Sequence, residues 1–435
     1  MEIDEATTEV LVVGGGLAGL AAATTAARQG RRVLLLEARS EHGGRARTTD
    51  ADGFLLNEGP HALYAAGEGM AVLRGLGIEP QGEKPPTKGA MGLLEGRLGL
   101  LPVGPASFAR SDLLSFRAKV ALGRQLAALP RMDSSRLVGT TLAEWLAELL
   151  PDPRSRDLVA GLARVGTYSN DPDRFDAGAA LVQLQRALDE GVLYLHDGWR
   201  TLVRDLTEAA VAAGVRLVTS EKVAKVDPGP TGVVIRTTTG ELTADAVVVT
   251  TGGPAGAADL LGVTDGPLRT RADAARPSLV AALDVGLRRP WGSAPTFVLG
   301  IDAPLYLSVH APTAALAPEG GSLVSLAKYL PPDSGRSAAE DRRELEALLD
   351  LVQPRWLSEA TTVRFLHRVM AATDIPTAAT GGLAGRPPSA APGRPGVYVA
   401  GDWVGPHGLL ADAALASGAA AGRAAAGVRE VAVAS

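Results

Sequence analysis

Cysteine is absent from the 435-residue chain, which excludes disulfides, thiolate nucleophiles, iron–sulfur clusters and most zinc sites. Aromatic residues make up only 4%, and of 43 basic residues six are lysine: Lys84, Lys88, Lys119, Lys222, Lys225 and Lys328. The other 37 are arginine, whose guanidinium stays protonated and cannot act as a base near neutrality. His42, His61, His196, His310, His367 and His407 therefore become the first candidates for proton transfer. No apolar run reaches the roughly 20 residues that a membrane-spanning helix needs. The chain starts with Glu2, Asp4, Glu5 and Glu9, the opposite of a cationic secretory signal. A formal net charge of -5 supplies no basic field for a phosphate backbone. These absences predict a cytoplasmic protein with no nucleic-acid partner, no integral membrane contact and no metal site.

What is present is the composition of an ordered globular protein, 46% hydrophobic and 21% charged, long enough at about 150 residues per domain for two or three folding units. The apolar run Glu9–Val13 ends in Gly14, Gly15 and Gly16. An alanine-rich helix is then expected over Leu17–Gln29, closed by Gly30, and a second strand over Val33–Leu36. Strand, glycine turn, helix and strand in that order form the βαβ unit of a doubly wound sheet. From about Leu98 to Leu195 apolar residues fall at helical steps, as in Leu113, Phe116, Val120 and Gly123, or Leu142, Trp145, Leu146 and Leu149, which predicts a helical cap.

A helix over Leu202–Ala213 and strands at Val215–Val218, Val233–Thr237 and Ala246–Thr250 return the chain to the first sheet. Runs at Leu279–Val285, Phe297–Val309 and Ser322–Tyr329, followed by a charged helix over Ser337–Leu351, predict an antiparallel sheet with a helix on one face. Thr373–Gly396 reads as a loop, Gly396–Ala400 as a last strand and Leu409–Ala426 as a last helix. The expected class is α/β. A Rossmann-type nucleotide domain takes residues 1–90, 195–265 and 390–435, and a discontinuous substrate domain of mixed sheet and helical cap takes 91–194 and 266–389.

Gly14, Gly16 and Gly19 spell GxGxxG between a strand and a helix, with Leu17 and Ala18 opening the helix whose N-terminus would face a pyrophosphate. Glu37 follows 23 residues after Gly14, at the end of the second strand, where a carboxylate can accept both ribose hydroxyls. The turn predicts a dinucleotide without choosing NAD or FAD. Next come Glu37, Ala38, Arg39, Gly43, Gly44 and Arg45.

With this ExRxxxGGR pattern the chain resembles the flavin amine oxidase and phytoene desaturase superfamily, and the likeness recurs at three places. Asn57–Tyr64 (NEGPHALY), with Gly59, Pro60 and His61, matches a segment that lines the flavin. Gly198–Leu206 with Gly214 and Val223 is similar to a central helix and the strand that meets adenine. Gly401 and Asp402 resemble the GD at the ribityl and phosphate, with Gly408, Leu409 and Leu410 leading into a helix that faces the pyrimidine. Thr251 and Gly252, which stop the strand ending at Thr250, join the expected cofactor set. The resemblance implies FAD, held noncovalently.

Two departures bear on the branch. No lysine lies between Lys225 and Lys328, where amine oxidases carry one beside the flavin, and Leu410 occupies the place of their cage tyrosine. Ala317, Pro318, Glu319 and Gly320 instead resemble a hairpin of phytoene desaturase-like and protoporphyrinogen oxidase-like proteins. The resemblance implies an FAD-dependent desaturase or oxidase that moves a hydride from a CH–CH or CH–NH bond of a mainly apolar small molecule to flavin N5, with O2 or another electron acceptor. His61 and His407 are the candidate catalytic bases, and Tyr64, Trp403 and Leu410 the expected pocket walls. The alternatives are an amine oxidase with a nonstandard aromatic cage and a non-catalytic prenyl- or lipid-binding relative.

Overall fold

The computed structural model describes residues 8–86, 89–102, 104–229, 232–333 and 335–427; Glu2, Asp4 and Glu5 of the acidic start, and Lys88, lie outside them. The chain runs β1 (Val10–Val13), α1 (Leu17–Arg28), β2 (Val33–Leu36), α2 (Glu68–Gly75) and the hairpin β3 (Met91–Leu94) and β4 (Arg97–Leu100). The cap follows as α3 (Phe116–Ala128), α4 (Leu142–Leu149), α5 (Pro153–Thr167) and α6 (Ala177–Asp189). Then come α7 (Arg200–Ala212), β5 (Arg216–Val218), β6 (Ala246–Val249), β7 (Ser278–Leu287), β8 (Phe297–Gly300), β9 (Leu305–Ala311) and β10 (Ser322–Leu330). The chain closes with α8 (Ala338–Val352), β11 (Ala360–Ala372), β12 (Val397–Val399) and α9 (Leu410–Ala425). Shorter elements connect these.

Five strands form a parallel sheet in the order β5-β2-β1-β6-β12. Helices cover one face of the sheet and a three-stranded antiparallel sheet (Val223–Gly229, Gly232–Thr237 and Glu241–Ala244) packs on the other, so β1, β2 and β6 are buried throughout and read as unbroken apolar runs rather than alternating ones. Against β1 lies α1 and, beside it on β6 and β12, α9, both built of small residues. A Cβ on Gly418 would stand 2.3 Å from the Ala18 carbonyl oxygen, and one on Gly422 2.3 Å from that of Ala22, so the two helix backbones are in contact. That approach sets Ala18, at the start of α1, against Gly418 in the middle of α9.

A seven-stranded sheet, β11-β7-β10-β9-β8-β3-β4, is antiparallel except where β8 pairs with β3. Alternation along β7, β9 and β10 sends Leu279, Ala281, Leu283, Leu307 and Leu326 under α8. Their neighbours Val280, Tyr306, Ala327 and Tyr329 form a second cluster on the opposite face. The cap is an α-helical cluster around Leu122, Trp145, Leu158 and Leu181, its helices started by Ser115, Thr141 with Glu144, Asp152 and Asp176.

Four sequence expectations change. Phe297–Val309 is two strands, because a turn at residues 301–304 separates β8 from β9. Arg97–Leu100 is a strand although the helical spacing in the sequence sets in there. Phe116 and Val120, on the helical apolar steps, are 83% and 40% exposed at the start of α3. The 13-residue β11 has no counterpart in the sequence pattern: Arg364, His367 and Arg368 break the alternation that marks a strand, and half-burial beside β7 makes those charges tolerable.

The cap is tied to the nucleotide sheet by Arg186 of α6, which ion-pairs with Glu68 of α2 and reaches Asp412 of α9 at 3.3 Å. Asp412 also accepts the Gly69 N–H at 2.9 Å, and burial, opposed by Arg186, pushes its carboxyl up to about 6 from an ordinary 3.8. The folded state thus holds this proton more tightly than the unfolded chain does. The stabilisation is full below the unfolded value and is lost as pH rises through about 6. Urea unfolding of Asp412→Asn and wild type, compared at about pH 4 and about pH 7, should show the variant gaining up to about 3 kcal/mol relative to wild type over that span. A flat difference would mean that Arg186 keeps Asp412 ionised throughout.

Candidate functional site

The glycine turn after β1 opens the cleft. A Cβ at Gly14 or Gly19 would press on Thr250 or on the Gly14 carbonyl, and one at Gly15 would sit 2.4 Å from His42 Nδ1, whereas at Gly16 it would meet nothing within 4 Å. Gly16 therefore faces open space at the N-terminus of α1, beside Leu17 and Ala18, which are buried. Thr250 Oγ1 donates to the carbonyls of Val13 and Gly14, fixing the turn to β6, while Thr251 and the left-handed Gly252 (φ 71°) end that strand. Glu37 accepts the Gly15 N–H at 2.7 Å and the Arg39 N–H at 2.8 Å, so its carboxylate is held at the turn with lone pairs to spare. Ala38 and Arg39 are exposed; the 218–221 segment bonds to the Glu37 and Arg39 backbone, and Val223 is buried just beyond it.

Gly43 (φ 116°) and Gly44 (φ 55°) bend the chain back against Gly16, and Arg45 reaches from there to Asp402 Oδ2 at 2.8 Å. Asp402, next to Gly401, also takes the Thr373 N–H and hydroxyl at 2.8 and 2.5 Å. Burial alone would push its carboxyl up, but Arg45 and Thr373 outweigh burial and hold it below the ordinary range. Gly408 (φ 66°) and Leu410 (φ 53°) are left-handed where α9 begins, and for Leu410 that conformation is strained. Leu409 is buried in the cap cluster and Leu410 packs against it.

The Asn57–His61 segment crosses the opposite wall. Asn57 Oδ1 accepts from Thr48 Oγ1 and the Trp199 N–H, and Gly59 lies against Ala282 of β7. Arg364 of β11 donates to the Asn57 carbonyl and pairs with Asp284 of β7 at 2.7 Å, with Ser325 of β10 donating to the other Asp284 oxygen at 2.7 Å. His61 Nδ1 faces the Gly59 carbonyl at 2.9 Å, its ring edge-on to Trp199 at 4.9 Å. Burial pushes the imidazole down from 6.5, while the Gly59 carbonyl, Asp284, Glu58 and the Arg45 carbonyl pull the other way.

Beyond His61 stand five of the six tyrosines, Tyr64, Tyr168, Tyr194, Tyr306 and Tyr329. Tyr168 donates to the Pro60 carbonyl and meets Tyr329 edge-on at 5.8 Å; Tyr194 stacks on His310 at 4.1 Å. Burial pushes Tyr64 up to about 12 and His310 down to about 3, so near neutrality both are uncharged. Two expectations shift here. Trp403 is buried with Val399, Val404 and Ala391 in the core of the nucleotide sheet, away from the tyrosines, because the chain turns inward immediately after Asp402. His407 is exposed on the loop before α9, with Glu68 among its neighbours. Sequence reasoning missed Tyr168, Tyr306, Tyr329, Asp284 and Arg364, which lie on distant strands and helices; the only signal was the tyrosine-poor composition elsewhere.

These residues fit FAD. The open space at Gly16, the carboxylate at the end of β2, the Gly43–Arg45 turn and the α9 N-terminus form a continuous cradle for an extended diphosphate ligand. Buried polar atoms with no acceptor or donor among the described residues, Trp199 Nε1 and Arg386 Nε, are found along it.

The sequence profile described as "Flavin containing amine oxidoreductase" matches residues 17–426. The chain is 28% identical to coproporphyrinogen III oxidase of Propionibacterium freudenreichii over 38% of its own length and 33% of that protein's. It is 29% identical to phytoene dehydrogenase of Streptomyces griseus over 55% of its own length and 54% of that protein's, so the matched part spans a third to about half of these relatives. Among solved structures, an oxidoreductase from Methanosarcina mazei superposes with a TM-score of 0.75 over 94% of this chain and 98% of that one, at 17% identity, which speaks for the fold. With the profile covering almost all described residues and the cradle built as above, the chain belongs to the flavin containing amine oxidoreductase family, with FAD as its cofactor.

Proposed function

We propose that the protein is an FAD-dependent desaturase or oxidase that takes a hydride from a CH–CH or CH–NH bond of a mainly apolar small molecule, with O2 or another acceptor reoxidising it. Residues 1–90, 195–265 and 390–435 hold the cofactor in this reading, and 91–194 with 266–389 hold the substrate. The observation that carries it is the wall opposite the cradle, where Val280, Ala282, Ala327, Tyr306 and Tyr329 turn one sheet face toward the Gly59–His61 segment. Its charges are spent internally, Asp284 on Arg364 and Ser325. Lys328 lies on the other face of β10, paired with Asp341 and Glu344, so no lysine is offered to the cradle from that strand. Such a wall excludes water and binds apolar surface, while FAD supplies the redox chemistry at N5.

Burial holds the His61 imidazole below its ordinary 6.5, while the Gly59 carbonyl, Asp284, Glu58 and the Arg45 carbonyl favour the protonated form, the form it takes after accepting a substrate proton. We assign the base role to His61 rather than to the exposed His407. His61→Ala should slow anaerobic flavin reduction by about 10²-fold with FAD content intact, and His407→Ala by no more than about threefold, followed by stopped-flow absorbance. A wild-type rate in His61→Ala leaves the imidazole as packing for Trp199. The substrate class is tested by anaerobic bleaching of the bound flavin against a panel of apolar hydrocarbons with oxidisable CH–CH bonds, cyclic secondary amines and primary amines. Bleaching by simple amines alone would favour the amine oxidase reading.

A further inference from the structure

Arg386 lies in the stretch that the sequence shows only as a loop, after the turn Gly381–Gly385, and is 6% exposed. Its Nη1 donates to the Gly408 carbonyl at 2.8 Å, and its Nε is buried with no acceptor among the described residues. The two acids nearest in the field are already committed. Asp402 is bound by Arg45 and Thr373; Asp374 pairs with Arg271 at 2.5 Å and accepts the Arg276 N–H at 3.0 Å. Three guanidiniums, of Arg45, Arg271 and Arg386, meet these two carboxylates; the Arg45 side chain is 44% exposed, whereas Arg386 is buried and its Nε has no acceptor among the described residues. Asp402 and Asp374 favour its charge, but a buried guanidinium with an unpartnered N–H is costly, and its retention calls for a further acceptor in the working protein.

FAD offers two. Its diphosphate is permanently anionic, whereas the pyrimidine end of the flavin becomes negative on two-electron reduction. The α1 N-terminus faces the open space at Gly16, and Arg45, already paired with Asp402, follows the Gly43–Gly44 turn that lies against it. Arg386 instead holds Gly408, the left-handed residue two before the strained Leu410 at the mouth of α9. We propose that Arg386 supplies the positive charge facing the pyrimidine end of the bound flavin and thereby raises its reduction potential. The proposal rests on the FAD cradle described above.

The test is the potential of the bound flavin, measured by equilibration with reference dyes in wild type, Arg386→Gln and Arg386→Lys. FAD content is measured first: a wild-type protein that takes up no FAD defeats the cradle, whereas the potential alone judges Arg386. Glutamine can still donate to Gly408, so Arg386→Gln should keep its FAD. Its equilibrium constant for two-electron reduction should fall by about 10- to 100-fold, roughly 30 to 60 mV at 29.6 mV per tenfold. Lysine keeps the charge and should stay within about threefold of wild type. An unchanged potential in Arg386→Gln with a lower melting temperature would make Arg386 a pin for the Gly408–Leu410 turn and overturn the proposal. Equal loss of affinity for oxidised and reduced FAD would assign it to the diphosphate and overturn it too. If neither variant folds, the wild-type potential decides: a value above that of free FAD supports the proposal, and one no higher overturns it.

Discussion

Glu37→Ala should weaken FAD binding by about 10- to 100-fold, measured by titrating apoprotein and following flavin fluorescence. A carboxylate that accepts ribose hydroxyls makes charge-assisted bonds worth roughly 1.5 to 3 kcal/mol each, which sets that range. The geometry adds a second effect. Glu37 also accepts the N–H groups of Gly15 and Arg39, so the alanine variant leaves both donors to water. The apoprotein itself should lose about 1 kcal/mol, read from its melting temperature. Glu37→Gln, which keeps an oxygen near the turn, should recover most of the apoprotein stability but little of the affinity. Unchanged FAD affinity in Glu37→Ala would remove Glu37 from the ribose.

Gly418→Ala should be more damaging than its single methyl suggests. The added carbon would stand 2.3 Å from the Ala18 oxygen and 2.9 Å from the Ala18 carbonyl carbon, and both partners are helix backbone, so no side chain can swing aside. Overpacking of this kind costs typically 1–3 kcal/mol, and with rigid partners we expect about 3 kcal/mol. Ala18 lies two residues after Gly16, which faces the open space at the start of α1, so spreading the helices should also weaken FAD. Gly75→Ala is the control: its site in α2 has nothing within 4 Å, and the change should be neutral or stabilising by up to about 1 kcal/mol. Chemical denaturation with and without FAD separates the two effects, and equal stability of both variants would show that α9 can slide on α1.

The parts of this architecture readable in the sequence are those in which function is local. Gly14–Gly19, Glu37 and Gly43–Arg45 act through backbone and near neighbours, so their spacing alone carries the geometry. The paired strands β9 and β10 around Ala317–Gly320 are legible for the same reason, since a hairpin brings together residues close in sequence. Arg364 is the opposite case. It reads as a charge interrupting a strand, and its role appears only where β11 pairs with β7 and meets Asp284 across 80 residues of chain. The tyrosines come from four separate strands and the C-terminal cap of α5, and nothing in the sequence around Tyr168 distinguishes it from Tyr398, which sits on β12. Trp403 misleads because adjacency to Asp402 suggests the cleft, while the turn after Gly401 carries its ring into the core.

The order of the strands has a consequence for how the protein is made. β12 and α9 are the last described elements to be synthesised, yet they complete the sheet and back the helix that began the chain. Translation at about 5–20 residues per second leaves β1 and α1 waiting roughly 20 to 80 s for their final neighbours. During that time the alanine face of α1 and the free edge of β6 are open, the kind of surface that chaperones cover. A ribosome that stops early delivers a chain with most of its strands but without the α9 side of the cleft. Shortened products should therefore be captured or degraded as a class, and cofactor loading should begin only near the end of synthesis.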